Sequence, residues 1–400
     1  MTDAPMKNSV QYDVVVIGGG ASGLMCAATA AYRGRRVLLL EHTRKIGRKI
    51  LMSGGGRCNF THLHNTAANF LSDNPHFCKS ALSRFSASDF VELVDRHGIE
   101  YHEKTPGQLF CNESSKEILQ LLLTECEWSG AELMTETSVF AVEQGPSGYH
   151  LRTSRGQFDT ESLVIATGGL SIPNGGATGF AYEVAEQFGL GVTPRQAALV
   201  PFTLQPDLLE HLKPLSGVSQ PVSVSCNGMQ FNENLLLTHR GMSGPAILQI
   251  SSYWSPGDEI EIDLVPSVDL EAWLKEQRQQ RPKAEIRTLM SQHMTKRLAH
   301  TLCELWQFGG EIGQCSNARL QVIAEQFKHW RLKPSGTEGY RTAEVTLGGI
   351  DTNEISQKTF EAKKAPGLYF IGECLDVTGH LGGHNFQWAW ASGFCAGQFV

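Results

Sequence analysis

The sequence predicts an α/β protein in which the two ends of the chain build one Rossmann-like parallel sheet around an inserted middle region. Three observations predict this fold. Residues 12–17 are an apolar, largely β-branched run that leads directly into a glycine-rich turn and a helix of small residues. Two later apolar runs, 162–166 and 367–371, also end in glycines. Between these two runs the pattern changes to short alternating segments and then to a helical period.

The length of 400 residues exceeds the roughly 100–200 residues of one domain, so we expect several parts. Residues 1–193 are predicted to be the first part of the Rossmann-like domain. Residues 194–266 alternate in polarity, with Pro and Gly between the segments, and predict a β-rich substrate domain. Residues 267–335 predict a helical subdomain. Residues 336–400 are expected to return to the β-rich part and to complete the first domain.

A dinucleotide-binding turn follows the first predicted strand. Its first glycine allows a tight turn, its second lets a pyrophosphate approach the backbone, and its third packs the helix on the strand. The positive end of the helix attracts phosphate. An acidic residue that ends the next strand is expected to accept hydrogen bonds from ribose hydroxyls and to disfavour a 2′-phosphate. The predicted contacts of this turn are Gly18, Gly20, Ala21, Ser22, Gly23 and Glu41.

The C-terminal strand favours FAD over NAD, because it supplies a second contact surface that a nicotinamide dehydrogenase does not need. Glu373 is predicted to bind hydroxyls of the flavin chain. The amides of a glycine-led helix start are predicted to face the N1/C2 edge of the flavin and to stabilise its anionic reduced form. The remaining predicted contacts around these strands are Thr167, Gly168, Gly372, Gly383, His384 and Asn385.

Residues 45–59 combine four cations with three consecutive glycines. Such a loop fits a cover for the planar flavin ring with an anion-contacting rim, and a solvated basic loop is the alternative. The predicted contacts are Lys49, Gly54, Gly55, Gly56 and Arg57. The sequence has one dinucleotide fingerprint, so we expect NADH or NADPH to dock transiently as the electron donor, or a separate reductase to supply electrons.

Composition excludes several classes of protein. The formal net charge of −7 argues against a general polyanion binder. The ten cysteines include no CxxC pair, which argues against zinc ribbons and disulfide reductases, so we expect free thiols and no metal. No run of about 18 apolar residues and no export signal is present, so we expect a cytoplasmic protein that does not contact a membrane.

The sequence resembles the BaiN-like family of NAD(P)/FAD-dependent oxidoreductases, also described as aminoacetone-oxidase-like flavoproteins. The resemblance covers nearly the whole chain and implies a FAD domain that is split in sequence, with an inserted β-barrel-like module and a small helical cap. Members have been linked to bile-acid dehydroxylation and to making dihydrouridine in ribosomal RNA. The resemblance therefore implies that this protein reduces an activated C=C bond. The resemblance rests on the motifs GGGASG, GRKILMSGGGRCN, ATGG, THRGMSGPAILQIS, AEVTLGGI and GLYFIGECLDVTGHLGGHNFQWAWASG.

This reaction requires an acid that protonates the carbon next to the one that receives the hydride. Cys374 and Cys58 lie inside motifs that are expected near the flavin, and a thiol donates a proton when its pKa is not depressed. His239 and His384 are rival acids. His384 stands where the family more usually has Tyr. Structural thiols and hydrogen-bonded histidines are the alternative interpretations.

A basic segment favours RNA as the substrate. Residues 278–333 contain ten Lys or Arg against four Glu, and RNA binding needs cations that replace the counterions of its phosphates. An ordinary charged helix face is the alternative. The candidate surface also includes Arg278, Arg281, Lys283, Lys296 and Lys333. The residues predicted to contact substrate or RNA are Arg240, Arg287, Arg297, Lys328, Trp330 and Arg331.

The resemblance, together with the basic segment, implies a FAD-dependent reductase that converts uridine to dihydrouridine in 23S ribosomal RNA, free or in a pre-ribosomal particle. One alternative is a small-molecule flavoenzyme, either an ene-reductase for steroid-like enones or an amine oxidase. The other is a flavin-bound RNA-binding or assembly factor without redox chemistry. RNA that is folded would have to release its uridine from the base stack, which favours an open loop or a partly assembled particle.

Overall fold

The computed structural model describes residues 9–400 and divides the chain into two compact units. The first unit contains the chain up to Gln196 together with Val345–Val400, and the second contains Ala197–Glu344. Among residues 9–400, no helix is both long and apolar enough to cross a membrane.

From residue 9 onward, ten strands and six α-helices precede the second unit. The strands are β1 (Val10–Ile17), β2 (Val37–Leu40), β3 (Asn59–His62), β4 (Phe70–Leu71), β5 (Tyr101–Thr105), β6 (Gln108–Cys111), β7 (Glu132–Met134), β8 (Val139–Gly145), β9 (Gly148–Thr153) and β10 (Gly156–Ile165). The helices are α1 (Ala21–Tyr32), α2 (Arg48–Met52), α3 (Phe77–Arg84), α4 (Ala87–Arg96), α5 (Lys116–Ser129) and α6 (Phe180–Gln187).

The middle of the chain adds eight strands and six helices, and the last residues add three strands and one helix. The middle strands are β11 (Gln196–Ala198), β12 (Phe202–Thr203), β13 (Ser219–Cys226), β14 (Met229–Leu237), β15 (Gly241–Ser243), β16 (Ile260–Asp263), β17 (Trp330–Leu332) and β18 (Gly336–Thr337). The middle helices are α7 (Pro206–Leu212), α8 (Pro245–Ser251), α9 (Leu270–Gln280), α10 (Ile286–Met290), α11 (Lys296–Leu305) and α12 (Asn317–Lys328). The last elements are β19 (Val345–Leu347), β20 (Leu368–Phe370), β21 (Thr378–Gly379) and α13 (His384–Gly397).

A parallel sheet forms the centre of the first unit. Strands β7, β2, β1, β10 and β20 pair in parallel, with β20 beside β10 although about 200 residues separate them in sequence. Val15 lies opposite both Leu38 and Leu163, and all three side chains are fully buried. Continuous apolar runs form these strands because helices cover both faces of such a sheet. The predicted α/β class with a Rossmann-like parallel sheet is confirmed.

Helix α13 lies against α1 and runs in the same direction. A Cβ atom at Gly393 would lie 2.4 Å from the Ser22 carbonyl oxygen, and one at Gly397 would lie 3.0 Å from that of Cys26. The second contact lies four residues after the first on both helices, so the two helices run in parallel. Because α13 begins nine residues before Gly393, its N-terminus projects about 13 Å beyond the level of Ser22, at 1.5 Å per residue.

The second unit contains an antiparallel sheet with the strand order β17-β16-β13-β14-β15-β12-β18. Its strands and helices α9 to α12 share one hydrophobic core, in which Phe202, Leu302 and Trp330 are buried together. The division of the sequence into residues 1–193, 194–266, 267–335 and 336–400 remains a prediction.

Candidate functional site

The N-terminus of α1 is open to a ligand. Gly20 is its N-cap, so no side chain caps the first-turn N–H groups, and a Cβ atom at Gly20 would meet no protein atom within 4 Å. Gly23 differs, because a Cβ atom there would lie 1.9 Å from the carbonyl oxygen of Gly18. Gly23 therefore serves the contact between helix and strand, whereas Gly20 leaves space that a phosphate group fits.

A buried hydroxyl lies beside this turn. The Thr167 side chain follows β10, and its Oγ1 is buried without a hydrogen-bond partner among residues 9–400. Gly18, with φ of +113°, brings the turn so close that a Cβ atom there would lie 3.0 Å from the Thr167 amide nitrogen. A buried hydroxyl without a partner is costly, so this atom fits a contact to a polar ligand.

Glu41 follows β2 and is buried at the edge of the same turn. Its Oε2 accepts from the Gly19 amide at 2.9 Å, and its Oε1 accepts from the Thr43 amide at 2.7 Å. The Nδ1 atom of His42 lies 3.2 Å from Oε1. Since Oε2 has a further lone pair, Glu41 retains the capacity to accept from a ribose hydroxyl.

Glu373 follows β20 and forms the centre of a polar cluster. Its Oε2 lies 2.6 Å from the Lys49 ammonium, and its Oε1 accepts from the Ser171 hydroxyl at 3.1 Å and the Thr346 amide at 3.0 Å. Lys49 also donates to Ser171 at 2.7 Å. Lys49 thus holds the carboxylate that was predicted to bind the flavin chain.

The glycine-rich loop forms a short 3-10 turn after α2. Gly54, Gly55 and Gly56 have φ angles of 57°, 66° and 87°, which side chains rarely adopt. Gly54 and Gly55 are exposed, and so is Arg57. An exposed backbone without side chains fits close contact with a flat ring, as the sequence predicts.

The N-terminus of α13 is a second helix start without a side-chain cap. Gly383 is the N-cap with φ of +96°, and a Cβ atom there would lie 2.5 Å from the Thr61 carbonyl carbon. Asn385 fixes the approach to the helix, because its Oδ1 accepts from the Gly379 amide and its Nδ2 donates to the Gly379 carbonyl, both at 2.8 Å. The first-turn amides therefore remain available to a carbonyl edge of a ligand.

The four candidate acids lie in different environments. Cys374 and Cys58 are fully buried, and burial raises the pKa of each thiol to about 12. The Cys374 thiol donates to the Ile371 carbonyl. Of the four, only His239 is exposed, in the turn between β14 and β15. His384 is buried. This burial, and to a lesser extent the nearby imidazoles of His62 and His380, lowers its pKa to about 3.

Most of the predicted RNA contacts in the second unit have protein partners. Four of the five cations form ion pairs, namely Arg240 with Glu338, Arg287 with Glu285, Lys328 with Asp263, and Arg331 with Glu261. Arg297 donates to the Pro214 carbonyl. The prediction that Trp330 stacks on RNA bases is wrong. Trp330 is a core residue, because it is 4% exposed and its ring meets the ring of Trp306 edge-on.

The sequence alone did not identify the residues that position the side chains of Glu373 and His384. Ser171 and Thr346 bind Glu373, and His62 and Asn65 contact His384, although no shared motif joins them. The closely spaced histidines of residues 62–64 are the one local signal that could have drawn attention to this cluster.

Together these residues fit FAD. The uncapped α1 N-terminus, the carboxylate of Glu41 and the hydroxyl of Thr167 match an adenosine diphosphate. The uncapped α13 N-terminus lies farther along the same direction, as an extended dinucleotide requires.

Comparison with known proteins supports this assignment. Residues 12–399 match the family described as "HI0933-like protein Rossmann domain". The chain is 52% identical to the "Ribosomal RNA dihydrouridine synthase" of Escherichia coli (strain K12), over 97% of this chain and 98% of that protein. It is 48% identical to the Haemophilus influenzae protein of the same name, over 96% and 97%. It is 28% identical to the "3-dehydro-bile acid delta(4,6)-reductase" of Clostridium scindens, over 96% and 97%.

A solved structure shares the fold. Superposition on the 3-ketosteroid-delta4-(5alpha)-dehydrogenase from Rhodococcus jostii RHA1 covers 98% of this chain and 98% of that protein. The TM-score is 0.50 and the sequence identity is 15%. The family resemblance seen in the motifs is confirmed by the match over nearly the whole chain. The chain belongs to the HI0933-like Rossmann family, and it is a flavin-dependent oxidoreductase.

Proposed function

We propose that this protein reduces uridine to dihydrouridine in 23S ribosomal RNA, with FAD as its cofactor and NADH or NADPH as the electron donor. The observation that carries the substrate is the identity of 52% and 48%, over nearly full length, to two proteins named for that activity. A cytoplasmic location follows from this substrate. When bound, reduced FAD supplies the hydride for C6 of the uracil ring.

The chain's own residues hold the cofactor and supply a proton in this proposal. The first-turn amides of α1 bind the diphosphate, Glu41 and Thr167 bind the adenosine side, and Lys49 fixes Glu373 for the ribityl hydroxyls. The exposed loop at Gly54 and Gly55, with Gly56 and Arg57, covers the ring.

His239 is the candidate that we favour as the acid that protonates C5 of the uracil. Its imidazole is exposed, whereas the thiols of Cys58 and Cys374 are fully buried. The Cys374 thiol also donates to a backbone carbonyl. A proton donor must come within about 3 Å of the acceptor atom, which a fully enclosed thiol does not allow. We expect His239→Gln to keep FAD bound while the rate of dihydrouridine formation falls by about 10²- to 10⁴-fold.

RNA attraction is assigned to cations that lack carboxylate partners. Among residues 9–400 no ion pair involves Arg281, Lys283, Lys296 or Lys333, and all four are exposed. Lys296 and Arg297 are the first two residues of α11, where the helix dipole is already positive. A cation at this end of a helix lowers the free energy of unfolding by about 0.3–1 kcal/mol, because the helix dipole repels it. A bound RNA phosphate would be attracted by both the cation and the dipole.

The test is mass spectrometry of ribosomal RNA nucleosides from cells with and without the gene. Dihydrouridine should disappear in the deletion strain and return with the wild-type gene. It should not return with Gly20→Asp. Unchanged dihydrouridine in the deletion strain would refute the RNA substrate without touching the flavin assignment.

A small-molecule ene-reductase is the second candidate, favoured by the 28% identity to a bile-acid reductase. It predicts that a conjugated enone reoxidises the reduced flavin anaerobically in the absence of RNA. A non-redox assembly factor predicts that neither RNA nor enone does so.

A further inference from the structure

The side chain of His384 lies in the first turn of α13, next to amides that have no cap. Its ring stacks on the ring of His62, with centroids 4.4 Å apart and planes inclined by 19°, and Phe70 meets it edge-on. Only 3% of the residue is exposed. The ring is therefore held in one plane, and the positions of its two nitrogens are fixed.

Asn65 determines which nitrogen carries the proton. The Nδ2 of Asn65 donates to the His62 carbonyl, which is an acceptor only, so the amide has one allowed orientation. Its Oδ1 then lies 2.6 Å from Nδ1 of His384. Because Oδ1 accepts only, Nδ1 of His384 must carry a hydrogen.

The other nitrogen of the neutral ring is consequently an acceptor. Burial, and then the imidazoles of His62 and His380, lower the pKa of His384 to about 3, so the ring is neutral at physiological pH. No hydrogen bond among residues 9–400 reaches Nε2 of His384. In this state His384 does not donate from Nε2, which disfavours the role of acid and leaves Nε2 as an acceptor for a ligand N–H.

The first turn of α13 thus presents two complementary groups. Uncapped backbone amides donate to carbonyl oxygens, and Nε2 of His384 accepts from an N–H. A ring with a carbonyl next to an N–H has a partner for each kind of group, whereas a steroid ketone has no such N–H. The pyrimidine rings of isoalloxazine and of uracil both contain this imide.

We propose that Nε2 of His384, with its tautomer fixed by Asn65, accepts a hydrogen bond from an imide N–H of a bound pyrimidine ring. This inference rests on the proposed function for the identity of its ligands. His384 is then a specificity-determining residue, and Asn65 is a positioning residue.

The first measurement is NMR of protein with ¹⁵N-labelled histidine rings, in which the signals of His384 are assigned by their loss in His384→Gln. Nε2 should resonate as an unprotonated nitrogen and Nδ1 as a protonated one at pH 7. A protonated Nε2 would overturn the proposal without use of any ligand.

Binding measurements distinguish the two sources of the imide. Wild-type protein is titrated with FAD and N3-methyl-FAD, and separately with RNA that contains uridine or N3-methyluridine. Loss of the N–H should weaken binding by roughly 5- to 100-fold in one of the two pairs. His384→Phe, which keeps an aromatic ring against His62, and His384→Ala, which leaves room for the methyl group, should both bind the two members of that pair equally.

Discrimination in the FAD pair assigns the cofactor as the donor, and discrimination in the RNA pair assigns the substrate. If neither pair is discriminated, or if discrimination persists in both variants, the proposal is wrong. Since these are binding measurements, they decide the matter even if the protein does not reduce RNA. Loss of dihydrouridine activity alone would instead bear on the proposed function.

Discussion

Gly20→Asp separates cofactor binding from folding. The backbone angles at Gly20, φ −88° and ψ −169°, are accessible to any residue, and the space around a Cβ atom is open. Aspartate is a favourable N-cap residue, so its carboxylate should cap the amides of α1 and raise the free energy of unfolding of the apoprotein by a few tenths of a kcal/mol. The fold should therefore persist, although the anion site is filled.

FAD affinity should fall strongly for the same reason. The new carboxylate competes for the amides that bind the diphosphate and repels its charge. Two unit charges 4 Å apart repel by about 1 kcal/mol in water and by about 4 kcal/mol at an effective dielectric constant of 20. We therefore expect the Kd for FAD to rise by about 5-fold to 1,000-fold.

The assay combines flavin fluorescence titration with thermal unfolding of apoprotein and FAD-loaded protein. Wild type should gain about 2.7 kcal/mol at a free FAD concentration of 100 Kd, and Gly20→Asp should lose most of this gain. Gly309→Asp is the matched control, because Gly309 also has open space and an ordinary φ but lies in the second unit. An unchanged Kd in Gly20→Asp would refute the assignment of the diphosphate to α1.

Three further outcomes are expected. Gly23→Ala should destabilise the protein by about 1–3 kcal/mol in a denaturant melt even without FAD, because its Cβ atom would lie 1.9 Å from the Gly18 carbonyl oxygen, and equal melts would contradict this packing. The folded-state pKa of His384 is about 3, below the value of about 6.5 in the unfolded chain, so the unfolded state binds the extra proton. Stability should be full above pH 6.5 and fall by about 1.4 kcal/mol per pH unit toward pH 3, more steeply than in His384→Gln; parallel profiles would show that His384 titrates normally. Lys296→Gln should weaken RNA binding and reduce the salt slope by about 0.7–0.9, whereas an unchanged slope would remove Lys296 from the interface.

The sequence predicts the parts of the site that depend on local spacing. The glycines of the first turn, Glu41 at the end of β2, and the return of the C-terminal strand all follow from short motifs that end apolar runs. Parallel strands place their carboxyl ends at one edge, so the strand ends at Thr167 and Glu373 lie together with the first turn.

Features that depend on contacts between distant residues were beyond that reasoning. Trp330 was interpreted as a stacking residue because it lies among cations, but its ring fills the core of the second unit beside Trp306. The charge of a segment likewise does not reveal which cations have carboxylate partners, as for Lys328 with Asp263. The tautomer of His384 depends on Asn65, which is 319 residues away in sequence.

Charge and hydrogen-bond pattern therefore have separate tasks in recognition. Cations without carboxylate partners, including Lys296 at the positive end of α11, attract any polyanion, and salt weakens this attraction. Such attraction cannot distinguish uracil from cytosine. A fixed acceptor beside fixed amide donors does so, because cytosine has an unprotonated N3 where uracil has an N–H, and two acceptors opposite each other leave both unsatisfied. If the imide that His384 binds is that of the substrate, base selection resides in the tautomer that Asn65 imposes.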